Sequence, residues 1–237
     1  MIYNAQNIIN FRDLDGFKSC YGVTNGKRVF RCGIPKDPTD EDTALLKKLG
    51  IRTVIDLRGK DEASQAPSLF ENSSEFFYYN IPLLEANPAL NDIRLPIWKM
   101  YALSLTEYAD GYRDLFRLIG NLDEPFLYHC FLGKDRTGLV SALLLGAAGV
   151  YEDEIINDYT PSFDLIKPFI DREIENDTGL IWDQDISRLQ SNASYIRDTL
   201  EYLVREHGGI NGYLLKTGLT QAEINKAANN LFKENIL

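Results

Sequence analysis

Apolar and polar positions fall into short blocks that change period along the chain. Arg28-Val29-Phe30-Arg31-Cys32 reads as a strand, and so does Ile51 to Leu57, which alternates enough to be half-buried. Phe76-Phe77-Tyr78-Tyr79-Asn80-Ile81 is a third strand by its aromatic content. Pro125-Phe126-Leu127-Tyr128 is a fourth, short and fully apolar. Between them the period becomes helical. Thr39 caps a helix whose first turn carries Asp40, Glu41 and Asp42 and which ends near Lys47, Lys48 and Gly50. Tyr101, Leu105, Tyr108, Tyr112, Leu115, Phe116 and Ile119 predict one amphipathic helix over Ile97 to Gly120. Leu139 to Ala148 is apolar nearly all round and reads as a buried helix.

The remaining stretches are less regular. Asn10 to Gly16 is a polar turn in which Arg12 and Asp13 read as a structural ion pair anchoring the N-terminus, ahead of an active-site role. Gly59 to Leu95, with Pro67, Pro82 and Pro88, reads as loops and short helices around the Phe76 strand. Residues 151–190 are rich in acids and large apolars (Tyr159, Phe163, Ile166, Phe169, Ile170, Ile181, Trp182), and Pro161 and Pro168 predict breaks between short helices. This stretch reads equally as a lid that excludes water or as a helical pack on the core. Ile196, Leu200, Leu203 and Val204 mark a helix ended by Gly208-Gly209. A short one follows at Tyr213-Leu214-Leu215, and Thr220 with Glu223 makes a capping box for the last. Strands alternating with helices predict an α/β fold: a central, mostly parallel sheet of four or five strands flanked by helices, with a helical C-terminal extension. The 237 residues are read as one domain, with a core over about 10–150, the lid candidate over 151–190 and a helical tail over 191–237.

Composition narrows the class without naming a chemistry. With 44% hydrophobic and 25% charged residues the chain is an ordinary globular one. A net charge of −10 argues against non-specific nucleic-acid binding and weakens adhesion to anionic membranes. No apolar run approaches the roughly 20 residues of a membrane span, and Met1 to Ala5 lacks the start of a signal peptide. Three cysteines at no framework spacing fit reduced thiols in a cytoplasmic protein, with leaderless export left open. Cys20 and Cys32 read as inert core thiols, with a regulatory disulfide to Cys130 as the alternative. Two histidines and no Cys/His cluster argue against zinc, and no metal or cofactor is expected.

The chemistry gathers in His129-Cys130-Phe131-Leu132-Gly133-Lys134-Asp135-Arg136-Thr137-Gly138. A strand that turns through glycine into a buried helix leaves backbone N–H groups and a helix N-terminus converging on one spot, which is an anion site. Amides, the helix dipole and a nearby arginine lower a cysteine pKa to roughly 3.5–7.5, so Cys130 is the candidate nucleophile. Arg136 offers a planar fork for two phosphoryl oxygens. Phe131 to Arg136 would form the phosphate cradle, with Gly133 turning amides inward and Gly138 admitting close helix packing. Thr137 can donate its hydroxyl to the Cys130 sulfur, and His129 reads as a brace for the loop backbone. Asp56 and Arg58 close the strand of Ile51 to Leu57 at the sheet end where binding residues collect. A buried inert cysteine explains Lys, Asp and Arg in a row poorly. A nucleotide-binding Walker loop would need Ser or Thr where Asp135 stands and glycine where Tyr128 stands.

Cysteine, five residues, arginine and then Ser or Thr is the signature of the cysteine-dependent tyrosine phosphatases, and the chain resembles their bacterial branch, which also contains lipid phosphatases. Asn10-Phe11-Arg12-Asp13-Leu14-Asp15-Gly16, Val54-Ile55-Asp56-Leu57-Arg58 and the helical tail add to the resemblance. Asp15 departs from it, standing where a second glycine is usual. The resemblance implies hydrolysis of phosphotyrosine through a phosphocysteine. Phosphoinositides or phosphoserine/threonine are further substrates, with lipid as the main substrate in one alternative and an inactive phosphate-binding module in another. No Trp-Pro-Asp acid loop occurs. By resemblance Asp135 is the general acid, with Asp56 second, and Lys134 is a second positive group for phosphate. A sulfur-transfer domain or arsenate reductase could also use a loop cysteine, but neither needs Lys134-Asp135-Arg136 in this order. Oligomeric state is not legible.

Overall fold

The computed structural model describes residues 1–84, 95–176 and 186–237. The expectations about Pro88, Ile181 and Trp182 lie outside them. Val29–Cys32 (β4), Thr53–Asp56 (β5) and Phe126–His129 (β7) are buried at every position. That is the signature of interior parallel strands covered on both faces. Phe77–Asn80 (β6) alternates exposed and half-buried, as an edge strand does. With Arg12–Asp13 (β1) they make one sheet in the order β1-β4-β7-β5-β6, parallel except where β1 runs antiparallel to β4. The α/β architecture expected from the sequence is therefore the observed one, with five strands. The half-buried reading of the second strand is corrected over Thr53–Asp56: β7 on one side, β6 on the other and helices on both faces bury all four residues, while Arg52 ahead of them is exposed.

Two pieces of β-structure have no pattern in the sequence. β1 lies inside the polar turn Asn10 to Gly16, and Lys18–Ser19 (β2) pairs with Gly22–Val23 (β3) in a small hairpin. Each is two residues long, too short to show a period.

The helices follow their local signals closely. Asp40–Lys48 (α1) opens with the Thr39–Asp42 capping box, and Lys60–Gln65 (α2) follows β5. The long amphipathic stretch is two helices, Ile97–Glu107 (α3) and Ala109–Gly120 (α4), rather than one. The chain leaves helical geometry at Tyr108, with φ −111° and ψ 26°, and α4 then brings Gly111 against the Pro82 carbonyl. A β-carbon at Gly111 would lie 2.9 Å from that oxygen. Asp135–Ala147 (α5) is buried through most of its length, as its apolar pattern requires. Glu152–Tyr159 (α6) and Ser162–Glu175 (α7) are separated at Pro161 as expected. Pro168, by contrast, sits inside α7 without ending it. Its face is exposed, so the Asp164 carbonyl deprived of a partner can be hydrated. Ile186–Leu189 (α8), Ala193–His207 (α9), Ile210–Lys216 (α10) and Gln221–Ala228 (α11) complete the chain, with Gly208 left-handed at the end of α9. No helix among the described residues is long and apolar enough to cross a membrane.

The larger core lies between the sheet face carrying Ile55 and Tyr128 and the helices α3, α4, α5, α9 and α11. The smaller one packs Phe11, Phe30, Leu46, Val54 and Leu127 on the opposite face. A third cluster joins Leu132, in the turn after β7, to Ile166 and Ile170 of α7 and Leu189 of α8.

Candidate active site

The turn after β7 runs along the C-terminal ends of the parallel strands, where β4, β5 and β7 all finish. Cys130 follows the last residue of β7 directly, and Arg136 is the second residue of α5. Both are close enough for their charges to interact. Burial lowers the pKa of the Arg136 guanidinium, but Cys130, Glu62 and Asp135 more than offset that and leave it above the ordinary arginine value. The loop thus joins sulfur and guanidinium across one turn, as the sequence spacing requires.

Gly133 makes that turn. Its φ is +70°, in the left-handed region, and a β-carbon there would lie 2.3 Å from the Cys32 carbonyl oxygen. No other residue fits both the angle and the space. Gly138 lies against the Tyr159 ring, 2.9 Å from where a β-carbon would stand, so α5 packs tightly on α6.

Arg136 donates Nη1 to Glu62 Oε2 at 2.6 Å and Nη2 to Glu62 Oε1 at 3.0 Å. Nη1 also approaches the Leu84 carbonyl at 3.4 Å. This end-on pairing leaves the side-on fork, Nε–H with the second Nη2 hydrogen, without a protein partner among the described residues. That fork is the one that fits two oxygens of a tetrahedral anion. Glu62 was not singled out from sequence. Its signal was weak: an acid in the first turn of a short helix that follows the Asp56-Leu57-Arg58 strand end.

Asp135 opens α5 with its side chain about one-third exposed. Tyr101 donates its hydroxyl to Asp135 Oδ1 at 2.5 Å, and the Tyr159 hydroxyl lies 2.6 Å from that of Tyr101. Burial and the Asp135 charge push the Tyr101 hydroxyl's pKa well up, so it stays a donor. Tyr101 is packed in the core and also touches the site.

Asp56 is fully buried and ionised. Burial opposes its charge, but the Arg58 guanidinium and amide hold its carboxyl below the usual range. It accepts from Arg58 Nε at 3.0 and 3.1 Å, from Arg58 Nη2 at 2.7 Å and from the Tyr78 hydroxyl at 2.8 Å. It holds the Arg58 guanidinium in a buried ion pair. His129 is buried, and burial lowers its pKa, so the ring is neutral. Its Nδ1 lies 3.1 Å from the Cys130 carbonyl, the contact expected of a backbone brace.

Two expectations meet a different geometry. Lys134 does not stand beside Arg136 as a second phosphate ligand. Its ammonium is buried, donates to the carbonyls of Arg188 at 2.7 Å and Gln190 at 3.0 Å, and lies 3.3 Å from Asp135. The end of α8 packs over the loop and takes the charge. The Thr137 hydroxyl is buried with no hydrogen-bond partner among the described residues, so the bond to the Cys130 sulfur is not made. Phe131 and Leu132 turn their side chains to the α7–α8 cluster and can offer a ligand only their backbone.

The other cysteines are unpaired. Cys32 is a buried thiol, as expected, whereas Cys20 is exposed on the β2–β3 hairpin rather than in the core. Arg12 and Asp13 do not pair with each other: Asp13 takes the N-terminal amine and the Tyr3 hydroxyl, while Arg12 pairs with Asp158 of α6.

Residues 3–233 match the model of the tyrosine phosphatase family. Over 199 residues the chain is 29% identical to the tyrosine-protein phosphatase of Nostoc commune, covering 78% of this chain and 68% of that protein. Over 262 residues it is 26% identical to the triple specificity protein phosphatase PtpB of Mycobacterium tuberculosis, covering 92% and 94%. The crystal structure of TpbA from P. aeruginosa is similar at 18% identity, with a TM-score of 0.37 over 81% of this chain and 88% of that one. A match of that extent, on a chain whose cysteine and arginine meet across one loop, decides the classification: this chain belongs to the tyrosine phosphatase family and is a phosphoric monoester hydrolase.

Proposed function

We propose that the chain hydrolyses phosphotyrosine through a phosphocysteine, with Cys130 as nucleophile, Arg136 as phosphoryl ligand and Asp135 as general acid. The observation that supports this most is the juxtaposition, at the two ends of one turn, of Cys130 and the Arg136 side-on fork, which has no partner among the described residues. In the first step the Cys130 thiolate forms an S–P bond while the P–O bond to the tyrosine breaks, and Asp135 gives its proton to the departing oxygen. In the second, water forms a new P–O bond, the S–P bond breaks and returns the thiolate, and Asp135 takes the water proton. The backbone amides of Phe131 to Arg136 and the start of α5 stabilise the equatorial oxygens. His129, Thr137 and Asp56 support the loop and its neighbours without touching the reacting atoms.

Asp135 is preferred to Asp56 as the acid because Asp56 is fully buried and committed to Arg58, whereas Asp135 is about one-third exposed at the start of α5, next to Arg136. Asp135→Asn should lower kcat on an aryl phosphate by roughly 10²–10⁴-fold while leaving the inhibition constant for inorganic phosphate within a few-fold. A near wild-type kcat would remove Asp135 from the role. Cys130→Ser should abolish turnover altogether.

Lys134 bears on the substrate class. Two of its donors are engaged by the Arg188 and Gln190 carbonyls and its charge is paired with Asp135, which favours phosphotyrosine over a doubly phosphorylated headgroup. The name of the triple-specificity relative favours a broader second reading, in which phosphoserine/threonine and phosphoinositides are also accepted. Phosphotyrosine peptides, phosphoserine peptides and phosphoinositide vesicles assayed side by side separate the two. The first reading expects kcat/KM on phosphotyrosine to exceed the others at least tenfold, and equal values would overturn it. The chain is proposed to act as one unit over 1–237, with α7 and α8 capping the loop through Leu132 and Lys134.

A further inference from the structure

The carbonyls of the turn from Cys130 to Gly133 are each held by a donor from outside it. Cys130 O receives His129 Nδ1 at 3.1 Å, and Phe131 O receives the Ile34 amide at 2.7 Å. Leu132 O receives Asn10 Nδ2 at 3.2 Å. Gly133 O receives both Asn10 Nδ2 at 2.9 Å and Arg31 Nη2 at 2.7 Å. No peptide bond among the described residues is cis. In a planar trans peptide the N–H of the next residue points opposite the carbonyl. Anchoring the Leu132 and Gly133 carbonyls on one side therefore turns the amides of Gly133 and Lys134 to the other, where an anion would sit.

Asn10 and Arg31 are themselves fixed. Asn10 is buried and held at φ +56°, a left-handed conformation that asparagine tolerates and most residues do not. Its Oδ1 accepts from Arg12 Nη1. Arg31 is fully buried on β4, pairs with Asp158 through Nη1 and donates to Ser141 Oγ at 2.8 Å. Arg12 reaches the same Asp158 at 3.0 Å through Nε and its carbonyl at 2.7 Å through Nη2. Two guanidinium groups and one carboxylate leave one net positive charge buried beneath the loop. A backbone position held in strain by an overdetermined polar network is expected where geometry serves function.

We propose that Asn10 and Arg31 are positioning residues that hold the loop carbonyls down so that the Gly133 and Lys134 amides face the phosphoryl group and the Cys130 thiolate. This rests on the reading of the loop as the phosphate cradle. Asn10→Gly keeps the left-handed backbone and deletes the donor. Asn10→Asp keeps an oxygen for Arg12 and replaces the donor with an acceptor. Arg31→Lys keeps the charge and one donor.

The test measures two quantities that stability alone does not move. One is the inhibition constant for inorganic phosphate, read as protection of Cys130 from iodoacetamide. The other is the pH midpoint of Cys130 alkylation, followed by mass spectrometry of the Cys130 peptide so that Cys20 and Cys32 do not interfere. Asn10→Gly and Asn10→Asp should each weaken phosphate protection about tenfold or more and raise the alkylation midpoint, with Arg31→Lys between them and wild type. Thr39→Ala, which weakens the α1 cap without removing a donor to the loop carbonyls, should change neither. If whichever of the Asn10 variants folds keeps both quantities within twofold of wild type, the proposal is wrong. Neither readout needs turnover, so an inactive wild-type enzyme would sink the phosphatase mechanism and still leave the carbonyl anchors testable.

Discussion

Arg136 and Glu62 illustrate how much a single residue's role depends on which edge of it is used. The carboxylate takes the outer N–H groups of the guanidinium and the phosphoryl group would take the side-on pair, so Glu62 orients the fork without competing for it. Glu62→Gln keeps one hydrogen bond and loses the bidentate ion pair. We expect kcat/KM on an aryl phosphate to fall about tenfold, mainly through KM, as measured by steady-state kinetics. At this scale Cys130, Arg136 and Gly133 were legible, because their chemistry and spacing are local. Glu62, Asn10, Arg31 and Tyr101 were not legible as site residues, since each reaches the loop across tens of positions in the chain. Lys134 was misjudged for the same reason: nothing near it in sequence announces that the end of α8 takes its ammonium.

Helices followed their caps wherever the cap was local. The Thr39–Asp42 box and the Thr220–Glu223 box both form. Asp42 does more than cap: besides the Thr39 amide at 3.1 Å it accepts the amides of Gln6 at 2.7 Å and Asn7 at 3.0 Å, tying α1 to the N-terminal segment. Thr39→Ala should cost about 1 kcal/mol, the usual value of an N-cap. Asp42→Ala strands three backbone donors and should cost about 2–3 kcal/mol. Urea denaturation of the two variants checks the difference; equal losses would mean the N-terminal tie contributes nothing. Element breaks were read less well. The split at Tyr108 and the continuity through Pro168 depend on what each face meets, Pro82 in one case and water in the other.

The whole molecule encloses several ionised groups beneath one turn, and its stability should show it in acid. His129 is neutral when folded, its pKa lowered by burial with Arg58 and Arg136 nearby. Below about pH 6.5 the unfolded chain takes up a proton that the folded one refuses, so stability is full above that pH and falls as pH drops toward the folded value. The only other histidine, His207, is shifted the same way. Asp158 and Asp56, held below the usual carboxylate range against the cost of burial by Arg31 and Arg12, and by Arg58, add a further loss as pH falls below about 4. Urea midpoints should decline from pH 7 to pH 5, and His129→Asn, whose amide can still reach the Cys130 carbonyl, should flatten that decline. An unchanged slope would mean His129 binds a proton equally in both states. By itself the sequence determined the alternating architecture, the strand-turn-helix that carries the nucleophile, and the class of chemistry, because periodicity, caps and a loop motif act over a few residues. Only the tertiary structure decided which carboxylate orients Arg136, which donors anchor the loop carbonyls and where the Lys134 charge goes. Those choices are made between segments that meet only when the sheet closes and the helices pack against it, and buried polar groups then take whichever partners that packing brings within reach.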